Sequence, residues 1–321
     1  MKYRPLGSTG LVVSEIGFGA WGVGGMTAGE TSYGATDDKR SRAALERAFA
    51  LGITFYDTAA AYGDGHSEAL IGATFAGMRD RVVIATKAGL DSFDRPSDFS
   101  PDGIRRSLDG SLARLKTDYV DLLQLHNPPP DLFDTHPEVY ALLSDLVRQR
   151  TIRSFGVSVK APSEAHAIVE RHPVASVQVN LNMFDLRALD SGLLDQAAER
   201  NIGIIARTPL SFGFLSGGVT KDTVFPVGDH RRRWSRAQLD CWIEGGQALH
   251  VAAEVPADQT HSQAALRFCL SFPAVSTVIP GILTPTEAEE NAAASGFGAL
   301  APAALERVIA LQRAGTWFLG G

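Results

Sequence analysis

The sequence predicts an α/β fold, a (β/α)8 TIM barrel with an N-terminal β-hairpin, a long seventh βα loop and an extra C-terminal helix. Eight short apolar runs alternate with eight helical patterns along the 321 residues, and parallel strands that are buried on both faces need helical crossovers. No linker, repeat or low-complexity tract interrupts this alternation, so residues 1–321 are expected to form one domain. An open doubly wound parallel sheet is the alternative architecture.

The predicted elements follow one another in a regular order. A hairpin comes first, with strands at 2–6 and 11–13 around the Ser8-Thr9-Gly10 turn. The eight predicted strands begin at Ile16, Ile53, Val82, Tyr119, Ile152, Ser176, Ile202 and Val275. The predicted helices cover 38–51, 67–76, 101–115, 137–149, 163–170, 191–200, 260–271 and 285–294. Ser100 followed by Pro101 is typical of their starts, because an N-cap serine and an N1 proline suit the unpaired amides of a first turn.

Two segments extend the regular alternation. Residues 211–258 are too long for an ordinary βα loop and are rich in Gly and then in Arg and Trp. We expect them to pass over the mouth of the barrel as an irregular excursion. The tail from about residue 300, which ends in Trp317-Phe318-Leu319, is expected to carry the extra helix.

Composition narrows the class of function. With 30 Lys and Arg against 36 Asp and Glu, the net charge of −6 lacks the basic field that nonspecific nucleic-acid binding needs. Cys241 and Cys269 form no CxxC spacing, which favours a reduced, cytoplasmic setting. No apolar stretch approaches about 18 residues, so no membrane segment is expected. We expect no metal site and a protein that acts on a small molecule as a monomer or small homo-oligomer.

One glycine pattern near the N-terminus is misleading. The segment Gly17-Phe18-Gly19-Ala20-Trp21-Gly22 matches GxGxxG, the pattern of the dinucleotide-binding turn in doubly wound folds. That turn requires a helix to begin at its third glycine, so that the helix amides meet the pyrophosphate. The residues after Gly22 cannot form such a helix, and we interpret the glycines as a loop that brings backbone close to a ligand.

Four polar side chains gather where predicted strands end, which is the edge of a barrel that carries chemistry. The second strand ends in Asp57 and leads to Tyr62, the third ends in Lys87 and the fourth in His126. A buried ammonium stabilises a phenolate, and a carboxylate keeps that ammonium charged and oriented. This combination suits a tyrosine that transfers a proton near neutral pH, while His126 is expected to donate a hydrogen bond to a substrate oxygen.

These residues belong to a longer pattern that resembles the aldo-keto reductase superfamily. The segment Phe55-Tyr56-Asp57-Thr58-Ala59-Ala60-Ala61-Tyr62-Gly63 is similar to the first signature of that family. Further matches, in chain order, are Ala85-Thr86-Lys87, Asp118-Tyr119-Val120-Asp121-Leu122 leading to His126, Gly156-Val157-Ser158, Pro209-Leu210 and Ile279-Pro280-Gly281. The resemblance spans nearly the whole chain. It implies an NAD(P)H-dependent reductase of aldehydes or ketones, including sugar or small natural-product carbonyls.

The resemblance also implies the roles of individual residues. Asp57, Tyr62, Lys87 and His126 match the catalytic tetrad, with Tyr62 as the proton donor and hydride coming from C4 of the nicotinamide. Trp21, Tyr62 and His126 are implied to contact substrate. The implied cofactor-binding residues are Gly19, Trp21, Asp57, Ser158, Gln178, Arg207, Thr208, Leu210, Gly213, Leu215, Gly281, Thr284, Glu287, Glu290 and Asn291.

Three departures from the family pattern bear on the cofactor. Val159 stands where an asparagine is usual, and Arg207 stands where an aromatic residue often stacks on the nicotinamide. No basic residue follows Gly281, and Glu287 falls where another basic residue is common. A 2′-phosphate without a local cation loses charge-assisted hydrogen bonds. The family pattern favours NADPH, and the acidic residue makes NADH the alternative.

Three other functions fit parts of the same pattern. The first is an NAD-dependent sugar or alcohol dehydrogenase on the same scaffold. The second is a noncatalytic nucleotide-sensing subunit, although an intact tetrad is expected to be catalytic. The third is a barrel in which Lys87 forms a Schiff base, which borohydride trapping would detect.

Overall fold

The computed structural model describes residues 1–27 and 31–319. Its centre is a ring of eight parallel strands that pair in chain order. The parallel bridges Ile16 to Val278 and Gly19 to Gly281 join the first strand region to the last. Each predicted strand overlaps one observed strand: β3 (Phe18–Gly19), β4 (Phe55–Asp57), β5 (Val83–Ala88), β6 (Val120–His126), β7 (Ile152–Ser158), β8 (Ser176–Asn180), β9 (Gly203–Arg207) and β10 (Val275–Ile279). The predicted barrel architecture is confirmed.

Helices surround the ring and supply the crossovers. In the described part of the chain they are α1 (Asp38–Ala50), α2 (His66–Thr74), α3 (Pro101–Leu115), α4 (Leu132–Thr135), α5 (Pro137–Arg148), α6 (Pro162–Arg171), α7 (Arg187–Asp190), α8 (Leu193–Glu199), α9 (Arg236–Ala252), α10 (His261–Leu270), α11 (Pro285–Phe297) and α12 (Pro302–Ala314). The last of these is the predicted extra C-terminal helix. The glycine-rich segment ends in a 3-10 turn at Gly22–Gly24, and α1 begins only at Asp38.

The hairpin closes the N-terminal end of the barrel. Its strands, β1 (Tyr3–Pro5) and β2 (Val12–Ser14), pair antiparallel. Leu6, Leu11 and Val13 are at most 2% exposed. They share a core cluster with barrel residues Phe55, Ala85, Leu122, Ile205 and Ile279. Because this end is plugged, the cavity described below opens at the opposite end.

The turn of the hairpin touches the barrel backbone directly at Gly7. Its φ is +50°, and a Cβ there would lie 2.1 Å from the Gly203 backbone nitrogen. We expect Gly7→Ala to lower the free energy of unfolding by about 3 kcal/mol, since strain and overpacking add. Gly10→Ala is the matched control, because Gly10 also has a positive φ of +73° but has nothing within 4 Å. Gly10→Ala is expected to lower the free energy of unfolding by about 1 kcal/mol. If urea denaturation gave equal losses for the two variants, the direct contact between Gly7 and the barrel backbone would be contradicted.

The segment 211–258 contains a helix, which corrects the expectation of an irregular excursion. Helix α9 has 17 residues and begins after Ser235, whose side chain accepts a hydrogen bond from the Gln238 amide. The Ser-x-x-Gln spacing is a helix-start signal, but two consecutive glycines inside the helix obscured the pattern. Those glycines permit close packing, since a Cβ on Gly246 would lie 2.4 Å from the Phe214 carbonyl oxygen.

Of the helices in residues 1–27 and 31–319, none combines the length and the apolar character needed to cross a bilayer.

Candidate active site

A cavity of about 760 Å³ lies at the C-terminal ends of the barrel strands. Six strands contribute residues to its lining, namely β3 (Gly19), β4 (Asp57), β6 (His126), β8 (Gln178 and Asn180), β9 (Arg207) and β10 (Ile279), together with the loops that follow them. The sequence-predicted residues that line it are Gly19, Trp21, Asp57, Tyr62, His126, Gln178, Arg207, Thr208, Leu210, Gly213, Gly281, Glu287, Glu290 and Asn291. The fold therefore brings most of the predicted residues to one cavity.

A buried ion pair lies beneath this cavity. Lys87 Nζ donates to Asp57 Oδ1 at 2.6 Å and to the Thr58 carbonyl oxygen at 2.8 Å. Lys87 is 0% exposed and Asp57 is 2% exposed. Strand register sets this geometry, because Asp57 pairs with Ala85 across β4 and β5, two residues before Lys87. The pair is thus withdrawn from water and held in one orientation.

Two glutamine side chains donate hydrogen bonds to the second oxygen of the Asp57 carboxylate. Gln124 Nε2 and Gln178 Nε2 donate to Asp57 Oδ2 at 2.9 Å and 2.6 Å. Gln178 Nε2 also donates to Gln124 Oε1 at 3.1 Å. Sequence reasoning missed Gln124, although it lies two residues before His126 and so shares its face of the strand. The carboxylate cannot rotate without losing these bonds.

Tyr62 lies above the ion pair at the end of a fixed loop. The Lys87 Nζ atom is 4.7 Å from the centroid of the Tyr62 ring. Gly63 has a φ of +63°, and a Cβ there would lie 2.0 Å from the Gly24 carbonyl oxygen, so this close approach holds the loop. Burial by itself lowers the pKa of Lys87, but the Asp57 carboxylate and Tyr62 outweigh it and raise that pKa above its ordinary value. Lys87 is therefore a permanent cation beside the Tyr62 phenol.

His126 is the neutral member of the group. Burial, reinforced by the positive charges of Lys87 and Arg207, holds the pKa of His126 well below its ordinary value. Its ring meets the Tyr62 ring edge-on, with centroids 6.1 Å apart. Its Nδ1 atom has no hydrogen-bond partner within the described residues. A neutral imidazole has one N–H, so His126 is suited to donate a hydrogen bond rather than to act as an acid.

The loop after β9 enters the cavity with a strained backbone. Thr208, Ser211 and Phe212 have positive φ values of 56°, 44° and 57°. Asn182 Nδ2 donates to the Thr208 carbonyl oxygen at 3.0 Å, and the Thr208 hydroxyl donates to Asn180 Oδ1 at 3.1 Å. Such conformations persist only where surrounding contacts hold them, and they concentrate at functional sites.

The long seventh loop reaches across the mouth to the first loop. The His230 amide donates to the Ser32 carbonyl oxygen at 2.9 Å. The rings of Trp21, Tyr33 and His230 pack against one another, with all three centroid distances equal to 5.0 Å. Arg231 forms a two-point contact with the buried Asp229 carboxylate, with distances of 3.0 Å and 2.7 Å. Trp21 is thus held as one wall of the cavity.

The end of the cavity beside the start of α11 is acidic. The Glu287 Oε2 atom accepts from the Leu283 and Thr284 amides at 2.6 Å and 3.1 Å. The Thr284 hydroxyl in turn accepts from the Glu287 amide, which completes a capping box at the start of α11. The Glu287 carboxylate therefore occupies backbone donors that an anionic ligand would otherwise use.

Three sequence-predicted cofactor residues are not among the lining residues. Ser158 is 0% exposed and donates to Gln178 Oε1 at 3.3 Å. Leu215 is buried in the main core, and Thr284 serves as the helix cap. In addition, Lys87 acts from beneath the cavity without lining it. These side chains support lining residues or the fold.

Comparison with known proteins agrees with this geometry. The model of the Aldo/keto reductase family matches residues 15–312. The chain belongs to the aldo/keto reductase family. It is 29% identical over 304 residues to the aldo-keto reductase YhdN of Bacillus subtilis, covering 92% of this chain and 89% of that protein.

Two solved aldo/keto reductases share the fold. The glycerol dehydrogenase AKR11B4 of Gluconobacter oxydans is 25% identical with a TM-score of 0.80, covering 99% of this chain and 97% of its own. The holo form of AKR11C1 from Bacillus halodurans is 26% identical with a TM-score of 0.77, covering 97% and 96%. This aldo/keto reductase chain is accordingly an oxidoreductase from a family that uses nicotinamide cofactors.

Proposed function

We propose that this chain reduces an aldehyde or ketone to the alcohol with NAD(P)H. The observation that carries the proposal is Lys87 Nζ, bonded to Asp57 at 2.6 Å and 4.7 Å from the centre of the Tyr62 ring. Tyr62 transfers its proton to the carbonyl oxygen, and the Lys87 ammonium stabilises the phenolate that remains. His126 donates its N–H to the same oxygen and aligns the carbonyl. A bound reduced nicotinamide supplies the hydride to the carbonyl carbon.

The residues present fit such a cofactor. The cavity volume of about 760 Å³ lies within the ~300–1,000 Å³ range of small-molecule and cofactor sites. The Gln178 carbonyl oxygen keeps a lone pair beyond the one that Ser158 uses, so it is suited to receive the carboxamide N–H. Asn127 Oδ1 and Arg207 Nε are buried without partners in the described chain and are available to a ligand. Residues 1–321 would then act as one catalytic domain.

A substrate screen tests the reaction. Purified protein would be given NADH or NADPH with matched series of aldehydes, ketones and keto-sugars, and nucleotide absorbance would be followed. Oxidation of the nucleotide that depends on at least one carbonyl supports the proposal. Nucleotide binding without turnover across all three series would instead support a sensing subunit.

Of the two nucleotides we propose NADH, against the NADPH that the family pattern favours. The Glu287 carboxylate already uses the Leu283 and Thr284 amides, and Glu290 lines the same end of the cavity. A 2′-phosphate placed there would meet negative charge, whereas ribose hydroxyls can donate to a carboxylate. We therefore expect a kcat/KM for NADH at least tenfold above that for NADPH.

Removing the charge of Glu287 should reduce the preference for NADH over NADPH. In Glu287→Gln the capping box is kept, because glutamine also serves at that position. The Kd of NADPH is expected to fall about fivefold, because one repulsion between a carboxylate and the 2′-phosphate near the surface is removed. The Kd of NADH, which has no 2′-phosphate, should change little. Exposed Glu306→Gln is the matched control. An unchanged nucleotide preference in Glu287→Gln would contradict this role.

A second candidate is the same site working as an NAD-dependent sugar or alcohol dehydrogenase. The similarity to the glycerol dehydrogenase of Gluconobacter oxydans favours it. Initial rates with NAD+ and glycerol or aldoses, set against rates with NADH and the corresponding carbonyls, separate the two directions.

A further inference from the structure

Arg207 is a cation in the cavity whose charge no carboxylate neutralises directly. It ends β9, and its side chain is partly buried. Of the other cations nearby, Lys87 is paired with Asp57 and Arg231 with Asp229, whereas Lys160 is exposed to solvent. Within the described residues, no ion pair within 4 Å is found for Arg207. Its Nη2 donates to the Val159 carbonyl oxygen at 2.9 Å, and its Nε has no partner.

Its surroundings place this charge beside the reacting groups. Arg207 lines the same cavity as Tyr62, His126 and Gln178. Its positive charge contributes to holding the pKa of His126 below its ordinary value, and it interacts electrostatically with Tyr62. Burial lowers the pKa of Arg207 itself, but a guanidinium remains charged in proteins at all ordinary pH values. A fixed positive charge therefore acts on whatever occupies this part of the cavity.

The reaction changes the charge of the cofactor at this point. Hydride departure converts a neutral dihydropyridine ring into a cation, while the carbonyl carbon gains the hydride and its oxygen gains the Tyr62 proton. Since hydride donor and proton donor act on the two atoms of one carbonyl, the ring must lie close to Tyr62. A nicotinamide held near Tyr62 would therefore lie in the same cavity as Arg207 and would be neutral before hydride transfer and cationic after it.

We infer that Arg207 makes the site select the reduced cofactor over the oxidised one. This rests on the proposed function and deepens it. Repulsion between two unit positive charges about 10 Å apart, at an effective dielectric constant near 20, weakens binding of the oxidised cofactor by on the order of tenfold. Arg207 thus raises the Kd of the oxidised form about tenfold relative to the Kd of the reduced form. The oxidised product leaves sooner, and the site is poorly suited to start from NAD+.

Binding measurements test this without turnover. The Kd values of NADH and NAD+ would be measured by quenching of tryptophan fluorescence, which Trp21 in the cavity wall makes sensitive, and by calorimetry. NADPH and NADP+ would replace them if the phosphorylated pair binds more tightly. In Arg207→Met, which is uncharged and of similar length, the ratio of oxidised to reduced Kd is expected to fall about tenfold from the wild-type ratio.

Two further variants separate charge from structure. Arg207→Lys keeps the charge but loses the planar fork, and it is expected to keep the ratio within about threefold of wild type. Lys160→Met removes a solvent-exposed cation from the same cavity and should change the ratio little, because solvent screens it. A ratio unchanged in Arg207→Met, or lost equally in Arg207→Lys, overturns the inference. Wild-type protein that binds neither nucleotide would overturn the proposed function instead.

Discussion

Tyr62→Phe is expected to lose most carbonyl reduction while nucleotide binding stays intact. The substitution removes the hydroxyl that delivers the proton but keeps the ring whose centroid lies 4.7 Å from the Lys87 ammonium. General acid catalysis contributes about 10²–10⁴-fold, so kcat should fall by at least about 100-fold. The measurement pairs kcat on a carbonyl found in the screen with nucleotide Kd from fluorescence.

Tyr56→Phe is the matched control for this variant. Tyr56 directly precedes Asp57, but its hydroxyl donates to the Ile53 carbonyl oxygen at 3.1 Å and its ring lies in the core. Its loss should cost about 1 kcal/mol of stability and change kcat by no more than about twofold. If Tyr62→Phe retained near-wild-type turnover, another group would have to supply the proton.

Lys87→Met is expected to damage stability and activity together. The substitution leaves the Asp57 carboxylate, 2% exposed, without its cation. Breaking a buried pair by removing one partner typically costs about 3–5 kcal/mol. Reduction should also fall to background, because the ammonium that stabilises the Tyr62 phenolate is then absent. Urea denaturation and the reductase assay measure the two effects.

The double variant Lys87→Met/Asp57→Asn separates these effects. With no charge left unpaired, most of the lost stability should return, while activity should stay at background. Lys221→Met, which breaks the exposed pair with Glu244 at 2.5 Å, is the surface control and should cost well under 1 kcal/mol. A double variant that recovered reduction would show that the charges at 57 and 87 are dispensable.

The fold was largely predictable from sequence because barrel strands have a strong local signature. Strands such as β6 and β8 are buried along nearly their whole length and stand out as short segments in which Val and Leu recur, although polar residues such as Gln124 and Gln178 interrupt them. Helix α9 was missed because its glycines are explained by contacts with Phe214 and Trp317, which lie far away in sequence. Tertiary packing decided that element, and local propensity did not.

The candidate site was predictable to the extent that its residues lie at strand ends. Asp57 and His126 are the last residues of their strands and Lys87 is the next to last, and the barrel topology brings those strand ends together. Gln124 was not identified, because the role of a buried glutamine depends on its hydrogen-bond partner, which the sequence does not reveal. The engagement of Glu287 with two backbone amides also depends on a loop conformation that sequence does not specify.

The junction that closes the ring also determines the order in which the chain can fold. Val278 donates its amide to Glu15, and the cluster around Leu11 needs Ile279 from the last barrel strand. During synthesis, at about 5–20 residues per second, the hairpin exists long before that strand does. Its apolar side chains therefore lack their contacts with Ile205 and Ile279 until nearly the whole barrel has been made. Protection of the Gly17 amide, which donates to the Val278 carbonyl oxygen at 2.8 Å, should appear only in nascent chains that include β10.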